Sequence, residues 1–153
     1  MGLGYLGYST LRRAAFRTGD RTQAAPPGIV RLREECVGKL LVVDDDELML
    51  GCVAAILAAA GYDLVTAQGG AQAVQLCQAM GSDIAAVIMD VMMPGMSGIM
   101  AAKQIRANDR RARIILMSGV SAHGQALEDA DAFIAKPFRS AELLALVRKT
   151  LGD

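Results

Sequence analysis

Beyond Lys39 the chain alternates short, solidly apolar runs with stretches in which apolar residues return every three or four positions. Leu40-Leu41-Val42-Val43 is wholly apolar and partly β-branched, the composition of a strand covered on both faces. Met49, Val53, Ile56, Leu57 and Ala60 then recur at helical spacing, with Gly61 placed to end the helix. Asp63 to Ala67 predicts a strand. Ala71 to Met80 predicts a helix with Val74, Leu76 and Cys77 inward and Gly81 closing it. Ala85 to Met89 is a second solid apolar strand, Ile99 to Ala107 a helix, and Arg113 to Met117 a strand. A short helix fits Gln125 to Asp129. Ala132 to Ala135 completes the strands, and Ser140 to Leu151 is a helix with Leu143, Leu144 and Val147 inward.

Five strand-like segments, each followed by a helical one, imply an α/β domain: a parallel sheet between helices, doubly wound in (βα)5 form. Right-handed crossovers leave few topologies, and a flavodoxin-like sheet of strand order 2-1-3-4-5 is the leading one. In open sheets of this kind ligands gather at the carboxyl ends of the strands.

The first 37 residues behave differently. Up to Lys39 there are seven bases and three acids, a net of +4, which leaves −4 on the remainder of a chain that is neutral as a whole. Glycines and the Pro26-Pro27-Gly28 break interrupt any apolar period. Residues 1–37 therefore predict a basic, poorly ordered tail with room for a short helix near Leu11 to Arg17, and residues 38–153 the folded domain. Overall neutrality argues against direct nucleic-acid binding and against a membrane-surface role, both of which need a basic excess. With 53% hydrophobic residues the chain has ample material for a core.

Two apolar stretches could pass for membrane spans. Leu48 to Tyr62 is too short. Ile84 to Ala102 holds Asp90 near its middle, at a cost of about 2.5–3.5 kcal/mol, and the Pro94-Gly95 step breaks it. No signal peptide is visible. Cys36, Cys52 and Cys77 form no C-x-x-C pair, so neither a disulfide framework nor a zinc site is indicated, and the cytoplasm is the natural compartment.

Candidate chemistry collects at the strand ends. The first strand runs into Asp44-Asp45-Asp46-Glu47, the third ends in Asp90, the fourth in Ser118-Gly119 and the fifth in Lys136-Pro137. In the predicted order these strands are neighbours, so their ends converge. Asp46 is assigned to capping the first helix. Clustered carboxylates repel, so they hold raised pKa values or demand a cation, and hard oxygen ligands at an open rim favour Mg²⁺. An Asp beside Mg²⁺, with a hydroxyl and a Lys at hand, holds what phosphoryl transfer requires, and the small Gly119 leaves room for the group. Exposed acids are common taken singly. Asp90, buried in an apolar run, is costly without a purpose.

The runs LLVVDDDE, VIMDVMMPGMSG, ILMSG and AFIAKPF stand in this order along the chain. Together they make the stretch from about Gly38 to Leu151 resemble the receiver domain of bacterial two-component response regulators. The resemblance implies that Asp90 is the phosphoacceptor. It makes Asp45 and Asp90 direct Mg²⁺ ligands, with Asp44 acting through water and the Met92 backbone carbonyl as a further ligand. It gives Ser118 and Lys136 the phosphoryl oxygens, and Phe133 the aromatic switch position, here without a hydroxyl. It also implies a cis peptide at Lys136-Pro137. The partner it implies is a histidine kinase or a histidine phosphotransfer protein, with no external substrate turned over, so the chain is expected not to be an enzyme in the usual sense. Ser118 and Lys136 are 18 positions apart, closer than in many receivers, which implies a short or irregular fourth helix and is similar to receivers attached to hybrid sensor kinases. No output domain follows Asp153 in this sequence, so output is expected through protein–protein contact or within a larger protein. The sequence specifies no oligomeric state.

A rival from another class is a receiver-like interaction module that is never phosphorylated; the intact acids, Ser118 and Lys136 argue against it. A haloacid-dehalogenase-like phosphohydrolase would need a second catalytic Asp soon after Asp90, where Val91-Met92 stand. Gly2 to Gly7 spells G-x-G-x-x-G but follows no strand, so it predicts no dinucleotide site. Arg106, Arg110, Arg111 and Arg113 read as a solvated loop at the far end of the sheet, His123 as a loop residue, and the methionines from Met89 to Met100 as packing, with Met92 able to screen an acyl phosphate. The three cysteines read as incidental.

Overall fold

In the computed structural model, the structure describes residues 38–119 and 128–152. The predicted tail, with Cys36 and the glycine motif, lies outside these residues, as do His123 and most of the short helix expected over Gln125 to Asp129. Glu128 and Asp129 form a turn and a bend.

Among the described residues there are five strands: β1 Lys39–Val43, β2 Leu64–Ala67, β3 Ile84–Asp90, β4 Ile114–Ser118 and β5 Ala132–Ala135. Four α-helices accompany them among the described residues: α1 Glu47–Ala59, α2 Gly70–Met80, α3 Gly98–Asn108 and α4 Ser140–Leu151. All strand pairs are parallel and the order is β2-β1-β3-β4-β5, as the alternating pattern predicts. A short 3-10 turn at Gly81–Asp83, which the pattern did not signal, leads into β3.

The solid apolar strands are buried on both faces because side chains alternate across the sheet. Leu41, Val43, Val87, Met89, Ile114 and Leu116 pack with Ala73 and Val74 of α2 and Ala101, Ala102 and Ile105 of α3. Leu40, Val42, Ala86, Ile88, Ile115 and Met117 pack with Leu50, Val53 and Leu57 of α1 and Leu143 and Val147 of α4. Two inward assignments change. Leu50 is buried where the spacing pointed to Met49, which is only half-buried, and Ala60 is exposed because α1 ends at Ala59 and Ala60 caps it. Arg106 is also not a loop residue. It sits in the last turn of α3 and donates to Asp131 at 2.8 Å, while Asp131 also accepts from the Ile114 amide at 2.7 Å. That carboxylate ties the end of α3 to the starts of β4 and β5.

No described helix is long and apolar enough to cross a membrane.

Candidate functional site

The register of the sheet fixes which residues meet. Val43 pairs with Met89, Asp90 with Met117 and Ser118 with Ala135, so the first residues past these pairs share one edge. Asp44 follows β1 directly and is still held to β2 by its amide, which donates to the Ala67 carbonyl at 3.2 Å. The Lys136 amide likewise donates to the Ser118 carbonyl at 2.7 Å and carries the β4–β5 ladder one step further. The predicted site residues Asp44, Asp90, Ser118 and Lys136 therefore converge as the strand ends required.

Three of these polar groups are deeply buried: Asp44 is 1%, Asp90 6% and Ser118 2% exposed. Burial of such groups is tolerable only with partners. Asp44 Oδ1 accepts from the Asp46 amide at 2.9 Å, and its Oδ2 accepts from Lys136 Nζ at 3.0 Å. The same ammonium lies 3.0 Å from Asp90 Oδ1. Asp46 turns away from this cluster and caps α1, its Oδ1 accepting from the Leu48 and Met49 amides at 2.9 and 3.2 Å. The capping role assigned from sequence holds.

Asp45 is exposed and completes the acidic group. Carboxylate oxygens of Asp44, Asp45 and Asp90 all lie within 4.8 Å of one another. One cation cannot balance three such charges. Burial holds the Asp90 carboxyl above its usual range, the charges of Asp44 and Asp45 push the same way, and Lys136 opposes them without cancelling them. For Lys136, burial acts to lower its pKa, yet the bonds and charges of Asp90 and Asp44 outweigh it and raise the ammonium above its ordinary value. An all-oxygen donor set with one exposed member fits a hard divalent cation that keeps part of its water shell.

The turn after Asp90 shapes the rim. Met93 packs down into the core, whereas Met92 is 68% exposed. Gly95 takes a positive φ of 75°, and Ser97 caps α3 by accepting from the Met100 amide at 3.2 Å. Gly98, which the sequence reading left without a role, packs its backbone on Asp90: a Cβ there would collide with the Asp90 carbonyl. Beside Ser118, a Cβ on Gly119 would meet nothing within 4 Å, so the space next to the hydroxyl is open. Phe133 sits half-buried on β5 opposite Leu116 and packs on the α2–α3 side of the core. The Lys136-Pro137 peptide is cis.

Residues 40–148 match the family model for the response regulator receiver domain. The chain is 36% identical over 119 residues to the chemotaxis protein CheY of Bacillus subtilis, covering 74% of this chain and 98% of that protein. It is 32% identical over 116 residues to the DNA-binding response regulator MtrA of Mycobacterium tuberculosis strain H37Rv, where the match covers 74% of this chain but only 50% of MtrA, so the chain spans about half the length of that relative. Among solved structures it is similar to the response regulator TrrA of Thermotoga maritima in complex with Mg²⁺-BeF, with a TM-score of 0.70, 31% identity, and coverage of 74% of this chain and 98% of that one.

Proposed function

Because the chain belongs to the response regulator receiver domain family, we propose that it is a phosphoacceptor module of a two-component or phosphorelay pathway. The observation that carries this reading is the buried Asp90 carboxylate, held 3.0 Å from Lys136 within an acidic group of metal-binding dimensions. Asp90 is the nucleophile. One of its oxygens attacks the phosphorus of a phosphohistidine on a histidine kinase or histidine phosphotransfer protein; the P–N bond breaks, the imidazole leaves and an acyl phosphate forms.

Asp44, Asp45 and Asp90, with the Met92 carbonyl, would hold Mg²⁺, and the bound ion supplies neutralising charge for the transferring oxygens. Lys136 exchanges its contact with the Asp90 carboxylate for one with a phosphoryl oxygen. Ser118 lends its hydroxyl to another, beside the open space at Gly119. Movement of Ser118 toward the phosphoryl group would draw Phe133 inward, a packing switch that changes protein–protein contacts between two pre-existing conformations. In this reading the module catalyses its own phosphorylation and dephosphorylation, turns over no external substrate, contacts no nucleic acid directly and works in the cytoplasm.

The test is intact-mass analysis after incubation with acetyl phosphate, with and without Mg²⁺, on the wild type and Asp90→Asn. A single Mg²⁺-dependent phosphoryl adduct, missing from the variant, is the expected result. Absence of the adduct would turn the reading to an unphosphorylated interaction module.

A further inference from the structure

The opposite end of the sheet carries a second concave feature, away from the carboxylates. α2 ends there at Met80, α3 ends at Asn108 and β3 begins at Ile84. Between these ends lies a cavity of about 290 Å³. Its floor is apolar, formed by Val74, Val87 and Ile105. It stays unfilled because Ala112 and Gly81, which also line it, supply almost no side-chain volume. The cavity opens to solvent at its rim, while Val74, Val87 and Ile105 at its base are buried, so a ligand entering it would exchange water for apolar contact.

Size and lining say what kind. A buried apolar cavity of about 150 Å³ takes up benzene, so this one has room for about a dozen non-hydrogen atoms. The exposed rim carries two amide side chains, Gln78 and Asn108, and two opposite charges, Asp109 and Arg113. The charges balance, and the amides offer both donors and acceptors. Cys77 on the wall reports the interior. Burial, and after it the Asp109 charge, push its thiol up to about 11, so the walls disfavour negative charge.

The structure assigns this cavity as a binding site for an uncharged small molecule of about a dozen non-hydrogen atoms, with an apolar ring or branched body and one hydrogen-bonding end seated on Gln78 and Asn108. The site is independent of the acceptor chemistry. It joins the cores of α2, α3 and β3, and β3 continues from its floor to Asp90.

Benzamide is a suitable probe, with benzoate and benzylamine as charged controls of the same shape. On methyl-labelled protein, benzamide is expected to shift the Val74, Val87 and Ile105 methyl signals saturably, with the charged analogues roughly tenfold weaker because they must shed water. It should also slow alkylation of Cys77 by iodoacetamide while leaving the exposed Cys52 unchanged. Ala112→Phe, which fills the cavity, and Gln78→Trp, which roofs it from an exposed position, should each remove the response while the Leu50 and Val147 methyls on the other face of the sheet keep their positions. Should Ala112→Phe not fold, Gln78→Trp decides alone. No saturable shift at the benzamide solubility limit, equal binding of benzoate, or a response that survives Gln78→Trp would each overturn the assignment.

Discussion

Lys136 and Asp90 meet at 3.0 Å across the ends of β5 and β3, two strands that are not neighbours but are separated by β4. The same ammonium lies 3.0 Å from Asp44, so one cation serves two buried carboxylates. Removing it leaves both without a counter-charge. Lys136→Met is therefore expected to destabilise the metal-free protein by about 3 kcal/mol, the lower range for breaking a buried pair. Urea unfolding with and without Mg²⁺ checks this. Mg²⁺ should recover much of the loss, since the metal-binding carboxylates remain; a variant that no longer responds to Mg²⁺ would place Lys136 in the metal site itself.

Asp90→Asn should act in the opposite direction. Asp90 holds its proton more tightly in the folded chain than in the unfolded one, chiefly because it is buried. Stability therefore falls as pH rises from the ordinary carboxylate value of 3.8 through the raised folded value, and the penalty is complete above it. Asparagine stands in for the protonated acid and escapes the penalty. Without Mg²⁺, Asp90→Asn should melt above the wild type at neutral pH, and the gap should close as the pH falls toward 3.8. A lower melting temperature at neutral pH would contradict the clustering of charge.

The strand ends were legible because each is one polar residue closing a solid apolar run: Asp90 after Ile88-Met89, Ser118 after Leu116-Met117, Lys136 after Ile134-Ala135. A parallel sheet with a fixed order does the rest, since register brings like ends together. Other contacts had no local signal. The division of Lys136 between Asp44 and Asp90 depends on side-chain reach across 92 positions. Arg106 resembled its exposed neighbours because its partner, Asp131, lies 25 positions away. Gly98 carried no readable role because a missing Cβ says nothing about which backbone approaches it.

Asp46 separates capping from metal binding within one acidic run. Its carboxylate accepts from the Leu48 and Met49 amides and takes no part in the cluster. Asp46→Ala should cost about 1 kcal/mol through loss of the α1 cap while leaving Mg²⁺ affinity within error. Asp45→Asn, at an exposed position, should weaken Mg²⁺ binding with little effect on metal-free stability. Calorimetric titration of both variants distinguishes the roles.

Gly98→Ala should disturb the site through the backbone. The added methyl would overlap the Asp90 carbonyl, which is main chain and cannot swing aside. Overpacking of this kind costs about 1–3 kcal/mol, and any relief moves Asp90 with it. Reduced stability together with weakened Mg²⁺ binding is the expected result. Loss of stability with unchanged affinity would mean that α3 shifts and Asp90 does not.

Cys77 should be a slow thiol with a distinctive pH profile. Its pKa of about 11, against an ordinary 9.0, follows first from burial and then from Asp109. Below both values the thiolate fraction drops about 100-fold relative to the unfolded chain, and the higher basicity returns about tenfold in intrinsic reactivity. Native Cys77 should thus alkylate at least about tenfold more slowly than the same residue in denaturant, with its half-burial slowing it further. In the native protein the rate should keep climbing with pH beyond 9, where the denatured control levels off. Peptide-level mass spectrometry after timed iodoacetamide exposure reads both states at one residue. Asp109→Asn should bring the native profile part of the way down in pH, because it removes the smaller of the two causes and leaves the burial intact.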